Sequence, residues 1–238
     1  DQMLDSPTNN FCTLNPLTLG AGDNYNTTDA VLTEGNLTFD TTTGTTLYAA
    51  ASTFSMLTGK WYAEVRADVI DGLGSLTVGI QFELSEDYAG SGIANTGEFA
   101  SSWGYNSNGP FTNTNSAISG TYASYTVGDI IGIAIDRDND KMYIAKNNTW
   151  QEKNPSGGDG ASLSAFAGKD AVFACGSTHA NRKSGTWNFG QDSSFAGGET
   201  AQGNADGNGI GDFYYTPPTG FLALCTSNLP EPAVIPSE

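Results

Sequence analysis

Apolar positions recur in this chain with a period of two, in short runs parted by glycine-, asparagine- and threonine-rich stretches. The clearest run covers 59–69, where Trp61, Ala63, Val65, Ala67 and Val69 alternate with Tyr62, Glu64, Arg66 and Asp68. Side chains alternate across a strand, so this register predicts one apolar and one polar face. Residues 127–147 predict a hairpin. Ile130 to Ile135 is apolar apart from Gly132, Met142 to Lys146 alternates, and Asp136, Arg137, Asp138, Asn139 and Asp140 suit the turn between them. Further strands are predicted at 36–39, 45–48, 76–82, 170–176, 185–189 and 220–226, with an edge segment interrupted by Pro16 at 11–19. No segment carries a helical stripe. The pattern predicts an all-β, two-sheet antiparallel sandwich. Long polar segments at 84–122 and 191–212 are of the length that carries function or covers a sheet.

A length of 238 residues suits one large all-β domain. Such a chain buries roughly 70% of its unfolded surface and needs no metal or disulfide merely to fold. We read 1–229 as a single sandwich with its core at 30–226, and 230–238 as a proline-stiffened tail. Both ends carry an apolar run containing Cys-Thr and closing on Asn and Pro, which predicts first and last strands lying side by side. Nine Lys and Arg against 26 Asp and Glu give a net charge of −17. That balance excludes nucleic acid as a partner, because phosphate neutralisation needs a basic stripe. No window of 18 apolar residues predicts a membrane span. The acidity fits an extracellular or virion-surface protein, and equally an ordinary acidic soluble domain. The start has no signal-peptide pattern and no Met at position 1, so the chain is expected to be processed or part of something longer. Cys12, Cys175 and Cys225 form no zinc spacing; Cys175 reads as core, and a Cys12–Cys225 bridge is left open because domain termini often meet.

Four pieces in order resemble the SPRY domain, a concanavalin-like β-sandwich: Gly59-Lys-Trp-Tyr-Ala-Glu-Val65, Ser102-Trp-Gly-Tyr105, Val127 through Asn147, and Trp187-Asn-Phe-Gly190. The flanks, Pro7 to Pro16 and Pro217 to Pro232, resemble those of SPRY-like modules in tailed-bacteriophage structural proteins. The resemblance implies a non-enzymatic virion component, a capsid decoration, head fibre or tail fibre. It would bind other virion proteins or a host-surface receptor, and a dimer or trimer would suit an open edge strand. The alternative is a secreted carbohydrate-binding lectin module.

Candidate chemistry is sparse. Trp150, Trp103 and Tyr105 lie in or beside long polar segments, where rings stack on sugars or peptides; packing against the sandwich is the competing role for all three. Asn204, Asp206, Asn208 and Asp212 alternate as in a calcium loop, but Tyr215 stands where a bidentate Glu belongs. Asp136, Asp138 and Asp140 are explained by their turn. No other cofactor is expected. Glu64 and Asp68 lie about 13 Å apart along one strand face, too far for a glycosidase pair, and with Arg66 between them read as a surface or cross-strand charge ladder. His179, the single histidine, has no nucleophile-elbow motif beside it.

Overall fold

A computed structural model describes residues 8–19, 30–41, 48–82, 96–177 and 181–230. In chain order the strands are β1 (Ala30–Thr33), β2 (Thr38–Thr41), β3 (Ala49–Ala51), β4 (Lys60–Ile70), β5 (Leu76–Phe82), β6 (Ser102–Asn106), β7 (Phe111–Asn113) and β8 (Ser116–Ala117). They continue with β9 (Ile130–Asp136), β10 (Lys141–Lys146), β11 (Thr149–Trp150), β12 (Ala161–Ser162), β13 (Ala171–Ser177), β14 (Lys183–Asn188) and β15 (Leu222–Ala223). Sheet A runs β1-β2-β14-β4-β9-β10-β11, with β12 on β10 and β15 beside β4; sheet B runs β3-β13-β5-β6-β7-β8. The two sheets face each other as a β-sandwich. Neighbours are antiparallel except β15, which runs parallel to β4.

The alternation along β4 and β9 sets the interior. Trp61 stands opposite Ile135, Ala63 opposite Ile133 and Val65 opposite Ile131, and all are buried. From sheet B, Val78, Ile80, Phe82, Phe173 and Cys175 meet them. Trp187 is wholly enclosed, stacked on Phe189 at 5.2 Å and 11° and tilted against Phe173 at 5.9 Å.

Three elements differ from the sequence pattern. The chain turns through left-handed Glu34, Gly35 and Asn36 (φ 52°, 66° and 66°), which moves the strand expected at 36–39 on to β2. Ser102–Asn106, within the long polar segment 84–122, is an interior strand of sheet B, and Trp150 belongs to a strand joined to β10 by the tight Asn147–Asn148 turn. Most of the strand expected at 45–48, the residues 42–44 and 83–95, and the tail 231–238 lie outside the described residues.

The second face of β4 is not polar surface. Tyr62 is 2% exposed and Glu64 0%. An outer cluster of Phe11, Tyr62, Ala134, Tyr143, Phe213, Phe221, Ala223 and Cys225 lies on this side of sheet A. The terminal segments meet there. Phe11 bridges Cys225, and the Cys12 amide donates to the Leu224 carbonyl at 2.9 Å. All three cysteines are free. Adjacent as their backbones are, Cys12 packs in the inner core and Cys225 in the outer cluster, so their thiols face opposite sides and form no bridge.

Two buried cations brace the rims. The Arg137 guanidinium donates to the carbonyls of Met56, Phe166 and Lys169, pairs with Asp140 and lies 4.8 Å from the centre of the Phe82 ring. The Lys183 ammonium donates to the carbonyls of Asp71, Leu73 and Asn181, and burial draws its pKa down. Trp187→Ala is expected to lower the unfolding free energy by about 3–5 kcal/mol in urea titration, the cost of emptying a filled aromatic site. A loss below about 1 kcal/mol would contradict this packing.

Candidate functional site

The three candidate rings do not form one platform. Trp103 stands opposite Ile80 and Tyr105 opposite Val78, so both point with those residues into the sandwich. Trp103 is 5% exposed and meets Phe82 and Phe166 edge-on at 5.6 and 5.7 Å. Tyr105 is 0% exposed, packs on Tyr125 at 5.1 Å and donates its hydroxyl to the Ala123 carbonyl; burial pushes its phenol pKa well up. Neither side chain is open to a ligand. Trp150, opposite Ala145, is half-buried against the outer cluster of sheet A.

The 204–212 loop gathers N–H donors around its central carboxylate. Asp206 Oδ1 accepts from the amides of Asn208 (2.9 Å) and Ile210 (3.0 Å), and Oδ2 from the Ala223 amide (2.9 Å) and Asn228 Nδ2 (2.8 Å). The other three calcium candidates have separate duties. Asn204 Nδ2 donates to the carbonyls of Phe213 and Tyr214, Asn208 Nδ2 donates to Asn228 Oδ1, and Asp212 Oδ1 accepts from the Gly203 amide. A calcium ion needs converging oxygens; here the central carboxylate already faces N–H groups. Among the described residues no group of three His, Cys, Asp or Glu is placed to hold a metal. The loop thus forms a polar clasp on the last strand. In the 136–140 turn, burial pushes the Asp136 carboxyl up, but Asn139 and Lys60 outweigh it and hold it below its ordinary value. Asp138 accepts from the Gly59 amide at 2.7 Å and Asp140 from Arg137, so the turn accounts for all three carboxylates.

Glu64 is the group that sequence reasoning misplaced. Its carboxylate accepts from the Tyr214 and Tyr215 amides (2.8 and 2.7 Å), the Tyr62 hydroxyl (3.2 Å) and Asn188 Nδ2 (3.2 Å). The expected ladder keeps only its far end. Arg66 pairs with Asp68 and with Glu199 (2.8 Å), and Asp68 also accepts from the Thr186 hydroxyl at 2.6 Å. The polar alternation of β4 gave no hint of this burial. Tandem Tyr214-Tyr215 ahead of Pro217-Pro218 was the one available signal, an apolar lid that needs a seat.

Surface depressions lie among the described residues. A cleft of about 480 Å³ is lined by Glu34, Asp192, Ser194 and Asp212, with Ala196, Gly197 and Ala201 between. Left-handed turns at 34–36 and 195–197 shape it. A smaller one of about 320 Å³ lies between Phe111, Ile118 and Tyr122, near edge strand β8. His179 lies outside the described residues.

No family model matches the chain, and no curated protein matches its sequence. Solved structures do match its shape. The SPRY domain of human HERC1 aligns at a TM-score of 0.54 and 13% identity, over 73% of this chain and 96% of that one. The TRIM65 PSpry domain aligns at 0.52 and 16%, over 75% and 89%. This likeness shows a SPRY-type, concanavalin-like fold.

Asp206→Ala is expected to lower stability by about 1–3 kcal/mol, since it strands buried N–H donors. Melting of both the native protein and the variant is expected to be the same with calcium as with a chelator. A calcium-dependent rise in the native protein alone would restore the metal loop.

Proposed function

We propose that this chain is a non-enzymatic docking module, a structural or adhesion component at the surface of a tailed-phage virion that binds other virion proteins or a host-surface receptor. The observation that carries the choice of protein over sugar is the burial of Trp103 and Tyr105. With these rings in the core, recognition falls to polar rim loops and to the acidic cleft beside Glu34, Asp192 and Asp212. The SPRY-type fold supports a binding role, and the Cys-Thr-containing, proline-bounded flanks support the virion placement.

Charge narrows the partner. Lys60, Arg66, Arg137, Lys146, Lys153 and Arg182 are each paired with a carboxylate of the same chain, and Lys183 is enclosed by carbonyls. The face offered outward is anionic, so the matching face is basic. Edge strands β1 and β8 give a route to dimers or trimers.

Selection of a random peptide display library on the immobilised protein is expected to enrich Lys- and Arg-bearing peptides. Their binding should weaken about tenfold or more in Glu34→Lys, an exposed position, and on raising salt from about 50 to 500 mM. Glycan-array binding that is lost in Trp150→Ala, with no peptide enriched, would support the lectin reading instead.

A further inference from the structure

Glu64 is a fully enclosed carboxyl group whose partners are all neutral. β4 places it on the outer face of sheet A, opposite Gly132 of β9 and Asn188 of β14. The glycine makes room for its neighbour: a Cβ at position 132 would come within 2.9 Å of the Tyr62 hydroxyl. Across the carboxylate lies the segment 204–216, whose Tyr214 and Tyr215 amides each take one of its oxygens. Asn188 joins the two layers, giving Nδ2 to both Glu64 Oε2 and the Asp212 carbonyl.

Among the described residues no positive charge answers this carboxyl. Arg66, on the same face of β4, is committed to Asp68 and Glu199. β9 offers Gly132 and Ala134, and β14 offers Asn188 and Thr186. From the covering segment come the phenols of Tyr214 and Tyr215, while Asp212 turns its carboxylate to the Gly203 amide. Glu199 and Asp129 add negative potential around Tyr215. Burying an ionised group without a counter-charge is costly, and neutral hydrogen bonds offset only part of that cost.

We propose that residues 204–216 form a proton-linked strap, seated most firmly on sheet A when Glu64 is protonated and loosened when Glu64 ionises. Burial pushes the Glu64 pKa from 4.5 up to about 7, against the pull of its four donors. Lifting the strap would return the group to water and to its ordinary value. The pKa is raised in the seated state, so the contribution of the proton is full below about 4.5 and lost as pH rises through about 7. Across that window the lifted state gains on the order of 10²-fold. Lifting also moves Asp212 on the cleft wall. Any effect on partner binding rests on the docking role above, whereas the linkage itself is measured without a partner, so the two fail separately.

The test is carboxyl-carbon NMR of the full chain from pH 4 to 9, with amide hydrogen exchange corrected for its intrinsic pH dependence. Glu64 is expected to titrate near 7, and protection at Tyr214 and Tyr215 to fall about 10²-fold over the same range while that at Ile133 holds. Glu64→Gln should flatten the Tyr214 and Tyr215 profile. Tyr62→Phe keeps the carboxyl but removes a donor to its ionised form, so it should move the midpoint upward. A midpoint in the ordinary carboxyl range, or an unchanged profile in Glu64→Gln, would overturn the proposal. Should Glu64→Gln not fold, the native titration and Tyr62→Phe decide it.

Discussion

The amides of Tyr214 and Tyr215 meet both oxygens of a carboxyl group closed to solvent, and the outer half of the molecule is organised around that contact. A sandwich strand commonly shows one face to water. Here Tyr62, Ala134 and Tyr143 make the second face of sheet A apolar, so something must cover it. The segment 204–216 does so without a strand or helix of its own, and irregular backbone has amides in need of acceptors. Glu64 supplies two of those acceptors from the sheet itself. Phe213, next to this contact, packs on Tyr62 at 5.3 Å. Seat and cover are thus joined by polar bonds at one point and apolar packing beside it.

The same economy governs the charges. Of nine cations against 26 anions, six pair with carboxylates of the same chain and Lys183 turns inward to carbonyls. Arg137 and Lys183 satisfy backbone carbonyls at the rims, work usually left to water or turns, while Asp206 and Glu64 satisfy amides of the covering chain. Exposed ion pairs add little to stability, so the buried ones matter more for holding loops in place. What remains outside is a surplus of carboxylates, and Glu34, Asp192 and Asp212 line the cleft that the covering segment helps to build.

The inner core was legible because period-two alternation is strong where both sheets press on it, as in 59–69 and 127–147. Alternation separates two faces but does not say that the polar one meets water, so the pattern alone places Glu64 at the surface. Trp103 and Tyr105 lay two apart around Gly104, a strand signal too short to stand out within a polar stretch. The Asp-Gly-Asn-Gly spacing after 205 is shared by metal loops and by turns in which a carboxylate binds nearby amides. What separates them is a partner at Ala223 and another at Asn228, contacts that local spacing does not encode. The cysteines illustrate the same limit: the ends meet, but face assignment depends on a register that only pairing reveals.

The central claim is that sheet A is covered on both sides and that the covering chain is an integral part of the fold. Residue-resolved hydrogen exchange at one pH below 6 tests it most directly. The account predicts that the Tyr214 and Tyr215 amides exchange with protection close to that of Ile133 in β9. Exchange of those two amides at nearly unprotected rates, while β9 stays protected, would contradict it.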